Sequence, residues 1–257
     1  MIESQASAMT RILLLGGTTE AGLLARALAD AGLDAVYSYA GRTGQPALQP
    51  VPQRIGGFGG VAGLIRYLKS AAISHLIDAS HPFAAEISRH AVEACAATGV
   101  ALLALERAPW VAAPGDDWTL VPDLAACLAA LPPKPTRIFL AIGRQNLAAF
   151  AAQPQHPYLL RLVDAPTVAP PLPLAEVVIA RGPFTFAGDL DLLGTHRIQL
   201  IVAKNSGGDG ARAKLDAART LALPVILINR PALAPRPAVG TVAQVLDWLG
   251  HPAPRGV

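Results

Sequence analysis

Short apolar runs, each closed by glycine or a polar cluster and followed by helical spacing, recur from one end of this chain to the other. Ile12 to Leu15 is the first run, and Leu23, Leu24, Ala27 and Leu28 follow it at helical intervals. That order of periods reads as buried strand, tight turn and helix. Strands are expected again at Asp34 to Tyr39, His75 to Ala79 and Val100 to Leu105, with helices at Val61 to Ala71 and Phe83 to Thr98, and a loop over Glu106 to Trp118. A second series then reads as strands at Arg137 to Ile142, Tyr158 to Val163, Glu176 to Ala180, Gln199 to Ala203 and Pro224 to Ile228. Its helices fall toward Phe150, after R-G-P-F through Leu193, at Ala211 to Leu221 and near Val242 to Leu249. Alternation of this kind through both halves predicts an α/β chain of two doubly wound domains. Leu131 to Pro135, with three prolines in four residues, is the expected linker. The reading is therefore residues 1–8 as a flexible extension, 9–131 as one domain and 136–257 as the second.

The first turn, G-G-T-T-E-A-G, opens a helix whose free N–H groups and positive dipole end suit an anion, most often a phosphate. Against the dinucleotide fingerprint, Gly16 takes the first place, Thr18 replaces the middle glycine and Ala21 fills the third. A merely structural strand-to-helix connection stays open for this turn. No acid follows the second strand, where Ser38, Tyr39 and then Arg42 stand; a hydroxyl and a cation there suit a ribose with an extra phosphate, so NADP is favoured over NAD. Arg42 as a solvated loop residue is the alternative. A second glycine-rich turn, I-G-G-F-G-G, includes Gly57 and lets backbone lie against a ligand, with a mobile surface loop as the alternative. The third strand ends in D-A-S-H-P-F, placing Asp78, Ser80 and His81 at a carboxyl end, where open α/β sheets bind ligands.

Composition narrows the function classes. Hydrophobic residues make up 52% and charged ones 15% of 257 residues, so the chain has ample core and no disordered bulk. The net charge of +3 is spread without a lysine-rich run, which argues against nucleic acid and for a small acidic ligand. No apolar segment approaches the roughly 20 residues of a membrane span, and no basic segment with an apolar stretch opens the chain, so a cytoplasmic protein is expected. Cys95 and Cys127 lack metal-ligand spacing and read as buried free thiols.

Four motifs, I-L-L-L-G-G-T-T-E-A, D-A-S-H-P-F-A, G-R-Q-N-L and K-N-S-G-G-D-G with its tail A-K-L-D-A-A-R, together with L-P-V-I-L-I-N-R-P, stand in order along nearly the whole sequence. As a set they resemble the precorrin-6A reductase family of cobalamin biosynthesis; Ser80 stands where that family usually has threonine, which keeps the hydroxyl. The resemblance implies two Rossmann-like domains with mainly parallel sheets and an active-site cleft between them. It also implies NADPH-dependent reduction of one carbon–carbon double bond in precorrin-6A, giving precorrin-6B, with no metal cofactor. The anaerobic branch, acting on the cobalt-loaded ring, is the alternative. A tetrapyrrole methyltransferase or an NADP-binding regulator fits less well, and no Tyr-x-x-x-Lys of a short-chain dehydrogenase is present.

Under this reading Gly16, Gly17, Thr18, Thr19, Glu20, Ser38, Tyr39, Arg42, Gly57, Asp78, Ser80 and His81 hold NADPH. The polycarboxylated tetrapyrrole calls for distributed donors, and Arg144, Arg181, Lys204, Asn205, Ser206, Gly207, Gly208 and Arg230 are the expected ones. Arg161 also lies near a strand end of the second half. The proton that accompanies reduction has three candidate sources: His81, whose ordinary pKa suits a donor, Lys204, and water. A monomer or weak homo-oligomer is expected.

Overall fold

The computed structural model describes residues 10–41 and 46–250. Two compact units divide the chain, one made of the residues up to Arg107 and those from Ala232 onward, the other of Ala108–Pro231. Each contains a six-stranded sheet in which every pairing is parallel.

The first unit is built from β1 (Arg11–Leu15), α1 (Thr19–Asp30), β2 (Asp34–Tyr39), β3 (Gln53–Ile55), α2 (Gly60–Ser70), β4 (His75–Asp78), α3 (Ala85–Thr98) and β5 (Ala101–Leu105). The four apolar residues of β1 divide between two cores: Ile12 and Leu14 pack with α1, while Leu13 and Leu15 face a cluster containing Leu64, Leu68, Ala91 and Ala94 from α2 and α3. A parallel strand covered on both faces needs such an uninterrupted apolar run. Thr18 caps α1, its Oγ1 accepting the Ala21 N–H at 3.1 Å, and the helix buries Leu24 and Leu28 completely. Each of those leucines contributes about 1.5–3 kcal/mol.

In the second unit follow β6 (Trp118–Val121), α4 (Leu124–Ala129), β7 (Ile138–Ala141), a 3₁₀ helix (Arg144–Ala152), β8 (Tyr158–Leu162) and β9 (Ala175–Ile179). The unit continues with α5 (Phe186–Thr195), β10 (Leu200–Lys204), α6 (Ala213–Thr220) and β11 (Val225–Ile228). Only then do β12 (Ala238–Val239) and α7 (Val242–Trp248) rejoin the first unit. The strand orders are β3-β2-β1-β4-β5-β12 and β9-β8-β7-β10-β11-β6. Both have the order of a Rossmann sheet, with its switch point between the first and fourth strands of the core.

The sixth strand of each sheet corrects the expected domain boundaries. The chain passes between units at Arg107/Ala108 and Pro231/Ala232, not at Leu131 to Pro135, which lies inside the second unit. β6 pairs with β11 in the register Val225↔Trp118, and β12 pairs with β5 in the register Ala238↔Ala104. Each short strand covers the edge left by a fifth strand. Local pattern does not say which of two similar edges a short strand joins, and the prolines are compatible with a turn inside a unit. β3 was also outside the expected elements, because three residues with one apolar position carry no readable period.

Both cysteines are free and buried, and burial pushes Cys95 up to about 11 and Cys127 up to about 12. Among the described residues no helix is long and apolar enough to cross a membrane.

His156 gives the fold a pH dependence. Its ring is fully buried, Nδ1 accepts the Thr136 N–H at 3.1 Å, and burial pulls its pKa, like that of His75, below the usual imidazole value. The unfolded chain therefore binds protons more readily than the native one. Stability is complete above the ordinary value of about 6.5 and falls as pH drops below it toward the native pKa values. Thermal unfolding at about pH 7.5 and 5.5 should show this drop in the wild type and a smaller one in His156→Gln; equal drops would refute it.

Candidate active site

In open parallel sheets the ligand crevice lies at the carboxyl ends of the strands flanking the switch point. In the first unit these are β1 and β4, which pair directly with Leu15 opposite Asp78. The Thr18 hydroxyl donates to the Ala79 carbonyl at 2.9 Å while accepting from Ala21, so one side chain caps α1 and ties it to the loop after β4. Gly16 donates its N–H to the Ser38 carbonyl at 3.0 Å and thereby joins the end of β2 to the same point. Gly16 to Glu20, Ser38 and Asp78 to His81 are thus gathered at one switch point.

Two glycines of the turn have different reasons. A Cβ on Gly16 would lie 2.0 Å from Tyr37 Cζ, so this position is filled by the protein's own ring. Gly17 has φ +114 and nothing within 4 Å of an added Cβ, which is a left-handed residue facing open space. Its N–H is taken at 2.8 Å by the Tyr37 hydroxyl, whose pKa burial raises. The anion-binding capacity of the turn therefore rests on the first N–H groups of α1, at Thr19 and Glu20, which helix geometry leaves without intrahelical partners. The open Gly17 face and these donors fit a pyrophosphate.

Several predicted side chains are engaged within the protein. The Glu20 carboxylate pairs with Arg107 at 2.5 Å, which leaves its backbone N–H as the group for a ligand. Tyr39 donates to the Ala47 carbonyl at 2.9 Å and accepts from Gln49, so it secures the chain after β2. Asp78 is buried; its Oδ1 accepts both the Ser80 N–H at 3.1 Å and the Ser80 hydroxyl at 2.6 Å, which makes it the support of Ser80. Its Oδ2 lies 3.3 Å from Arg236, which also meets Glu106 at 2.5 Å. His81 Nδ1 accepts the Phe83 N–H at 3.2 Å, and a ring in that state carries its proton on Nε2. The Gly57 carbonyl accepts from Arg54 at 3.1 Å. Arg42 lies outside the described residues.

In the second unit the switch point lies between β7 and β10, paired with Ala203 opposite Ala141. Gly143, at φ +77, leads from β7 into the 3₁₀ helix at Arg144, and Lys204 ends β10. Arg144 and the K-N-S-G-G turn are brought to the same end of the sheet. That turn is held from within: Asn205 accepts the Trp110 N–H at 2.7 Å and donates to its carbonyl at 3.1 Å, and the indole N–H donates to the Gly208 carbonyl at 2.8 Å. Arg230 donates to the carbonyls of Asn205 and Ser206, both at 3.1 Å. A Cβ on Gly207, at φ +66, would lie 2.0 Å from the Ala108 carbonyl oxygen, so only glycine fits. Asn205 and Arg230 thus shape the turn, while Lys204, half-buried at the strand end, presents charge beside it. Arg181, exposed, lies 3.8 Å from Asp164 beyond the ends of β9 and β8, away from β7 and β10 in the sheet order. Arg161 forms a buried ion pair with Asp189 and stacks 3.6 Å over Phe184.

Tyr37, Arg54, Glu106, Trp110 and Arg236 are the residues sequence reasoning missed. Arg54 immediately precedes the second glycine-rich turn, which was the available signal; Arg236 stands between prolines and carried none.

Two Rossmann-ordered parallel sheets, each with glycine-rich turns at its switch point, define a Rossmann-like α/β protein. The chain belongs to the precorrin-6x reductase CbiJ/CobK family, whose model matches residues 11–250. It is 63% identical over 251 residues to the precorrin-6A reductase of Rhodobacter capsulatus, covering 97% of this chain and 100% of that one. The precorrin-6A reductase of a Sinorhizobium species is 46% identical, covering 98% and 97%. The cobalt-precorrin-6A reductase of Priestia megaterium is 29% identical, covering 93% and 96%. Among solved structures, that of a CobK precorrin-6A reductase matches with a TM-score of 0.92 at 62% identity, covering 97% of this chain and 100% of that chain.

Proposed function

We propose that this protein is the NADPH-dependent reductase that converts precorrin-6A to precorrin-6B in cobalamin biosynthesis. The observation that carries the reading is the convergence, through Thr18, of the Gly16 to Glu20 turn and the Asp78 to His81 loop at the first switch point, in a chain 63% identical to a precorrin-6A reductase. NADPH, when bound, supplies the hydride for the carbon–carbon double bond, and a proton from the medium completes the reduction.

The α1 N-terminus binds the pyrophosphate through the N–H groups of Thr19 and Glu20, and the open face of Gly17 admits its close approach. Ser80, fixed by Asp78, and the Nε2–H of His81 orient the rest of the cofactor as hydrogen-bond donors. Since the Phe83 N–H holds the Nδ1 lone pair, His81 serves as a neutral donor and the proton is delivered by water. Lys204 and Arg144 bind substrate carboxylates, and the N–H groups of the Ser206 to Gly208 turn extend that anion site. The metal-free substrate is favoured because identity to the precorrin-6A enzymes far exceeds the 29% to the cobalt-precorrin enzyme.

Adding precorrin-6A to the purified protein and NADPH should bleach the nicotinamide absorbance, with one equivalent consumed per ring. No consumption with metal-free or cobalt-loaded substrate refutes the reading. Lys204→Ala and Arg144→Ala should each raise KM for the tetrapyrrole about tenfold, the equivalent of ~1.4 kcal/mol for one charge-assisted contact, with the dissociation constant for NADPH unchanged. Unaltered KM in both variants would remove the second switch point from the substrate site.

A further inference from the structure

β3 brings a cation to the place where Rossmann sheets read the ribose. Its register pairs Ser38 with Arg54, and Arg54 Nη1 donates to the buried Ser38 hydroxyl at 2.7 Å, directly beside the Ser38 carbonyl that receives Gly16. The same guanidinium donates to the carbonyls of Gly56 at 2.9 Å and Gly57 at 3.1 Å and lies 3.9 Å from the Phe58 ring centroid and 5.2 Å from that of Tyr67. These partners are a hydroxyl, two carbonyls and two ring faces. Among the described residues none of them is a carboxylate, so Arg54 is a half-buried positive charge without an anion, and its Nε–H and one Nη2–H remain for a ligand.

The loop around it leaves room for one. Gly56, Gly59 and Gly60 have φ of +117, +79 and +77, and an added Cβ on any of them, or on Gly57, would meet nothing within 4 Å. Arg54 thus stands at the rim of an open turn whose four glycines leave Phe58 as its one side chain, held in a fixed orientation by the two carbonyls and the Phe58 face. A planar cation fixed in this way is suited to bidentate pairing with a phosphate. The end of β2 has no acid to take ribose hydroxyls, so a second phosphate on the ribose meets attraction there and no repulsion.

We propose that Arg54, rather than Arg42, binds the ribose 2′-phosphate and sets the preference for NADPH over NADH. The assignment rests on the nicotinamide-dependent reading above and names the residue that discriminates between the two cofactors. Ser38 acts with it as a positioning residue, holding Nη1 through its hydroxyl.

The test uses 2′,5′-ADP and 5′-AMP, which differ in the 2′-phosphate, as probes in calorimetric titrations of the full chain, alongside kcat/KM with NADPH and NADH. Wild-type protein should bind 2′,5′-ADP more tightly than 5′-AMP. Arg54→Gln, which keeps a polar side chain without the charge, should weaken 2′,5′-ADP about tenfold or more and leave 5′-AMP unchanged, collapsing the cofactor preference in the same proportion. Arg54→Lys should retain part of the preference, and Arg42→Ala all of it. If Arg54→Gln unfolds, the folded Arg54→Lys variant decides by whether its preference drops. A retained preference in the folded Arg54 variants, or its loss in Arg42→Ala, overturns the assignment while leaving the NADPH reading intact. If wild type binds neither probe nor NADPH, the functional reading itself fails, which the wild-type titrations show first.

Discussion

Replacing Gly16 by alanine is expected to destabilise the first unit by about 1–3 kcal/mol through overpacking and to weaken NADPH binding at least about tenfold. The added Cβ would lie 2.0 Å from Tyr37 Cζ and 2.3 Å from its hydroxyl oxygen. Tyr37 has no room to retreat: it is 1% exposed, belongs to the core under α1, and its ring centroid is 4.5 Å from that of Tyr39. Displacing it also breaks the bond to the Gly17 N–H, a loss of about 1 kcal/mol. Urea unfolding of Gly16→Ala in the wild-type and Tyr37→Ala backgrounds measures the coupling. The glycine substitution should cost far less once the ring is gone. Equal costs in the two backgrounds would show that something other than Tyr37 requires glycine here.

Arg236→Ala should destabilise the first unit strongly, by about 3–5 kcal/mol, because it removes the cation from the buried Asp78 carboxylate. The Arg236 side chain is 8% exposed and that of Asp78 1%, so without Arg236 the Asp78 carboxylate is left buried without its cation, while Glu106, at 35%, keeps contact with water. Arg236 also precedes β12, whose Ala238 and Val239 pair with β5, and α7, whose Val245 and Leu246 are buried against the α1 core. Hydrogen exchange in the variant should therefore rise first in β12 and α7. Arg236→Lys, retaining charge without the fork, should fall between. Full protection of β12 and α7 in Arg236→Ala would mean that strand pairing alone holds the returning segment.

The apolar run Ile12 to Leu15 sufficed to place β1, because a strand buried on both faces must be apolar at every position, and the helical spacing after it sufficed for α1. Thr18 shows where sequence reading stopped short. It stood in the fingerprint as a substitute for glycine, yet its hydroxyl makes the tie to the Ala79 carbonyl that joins two motifs 61 positions apart. Arg230 was read as a substrate donor from its place near a strand end, and Asn205 from its place in a glycine-rich turn; only the structure shows that both side chains also make contacts within the unit, with Trp110 and the turn carbonyls. Arg54 was not among the expected cofactor residues because β3 has no periodicity of its own, and its cation reaches the end of β2 solely through strand pairing.

By itself the sequence determined the alternation of strands and helices, the glycine-rich turns that end the central strands, and the family, since these depend on local periodicity and on residues close in the chain. The tertiary structure decided which edge each sixth strand covers, why Gly16 must be glycine, and which polar side chains are engaged within each unit. Those outcomes depend on long-range pairing and on competition between internal and external hydrogen-bond partners, neither of which leaves a local pattern. The different surroundings of two arginines illustrate it: Arg161 pairs with the buried Asp189 carboxylate, while the partners of Arg54 among the described residues are the Ser38 hydroxyl and the carbonyls of Gly56 and Gly57.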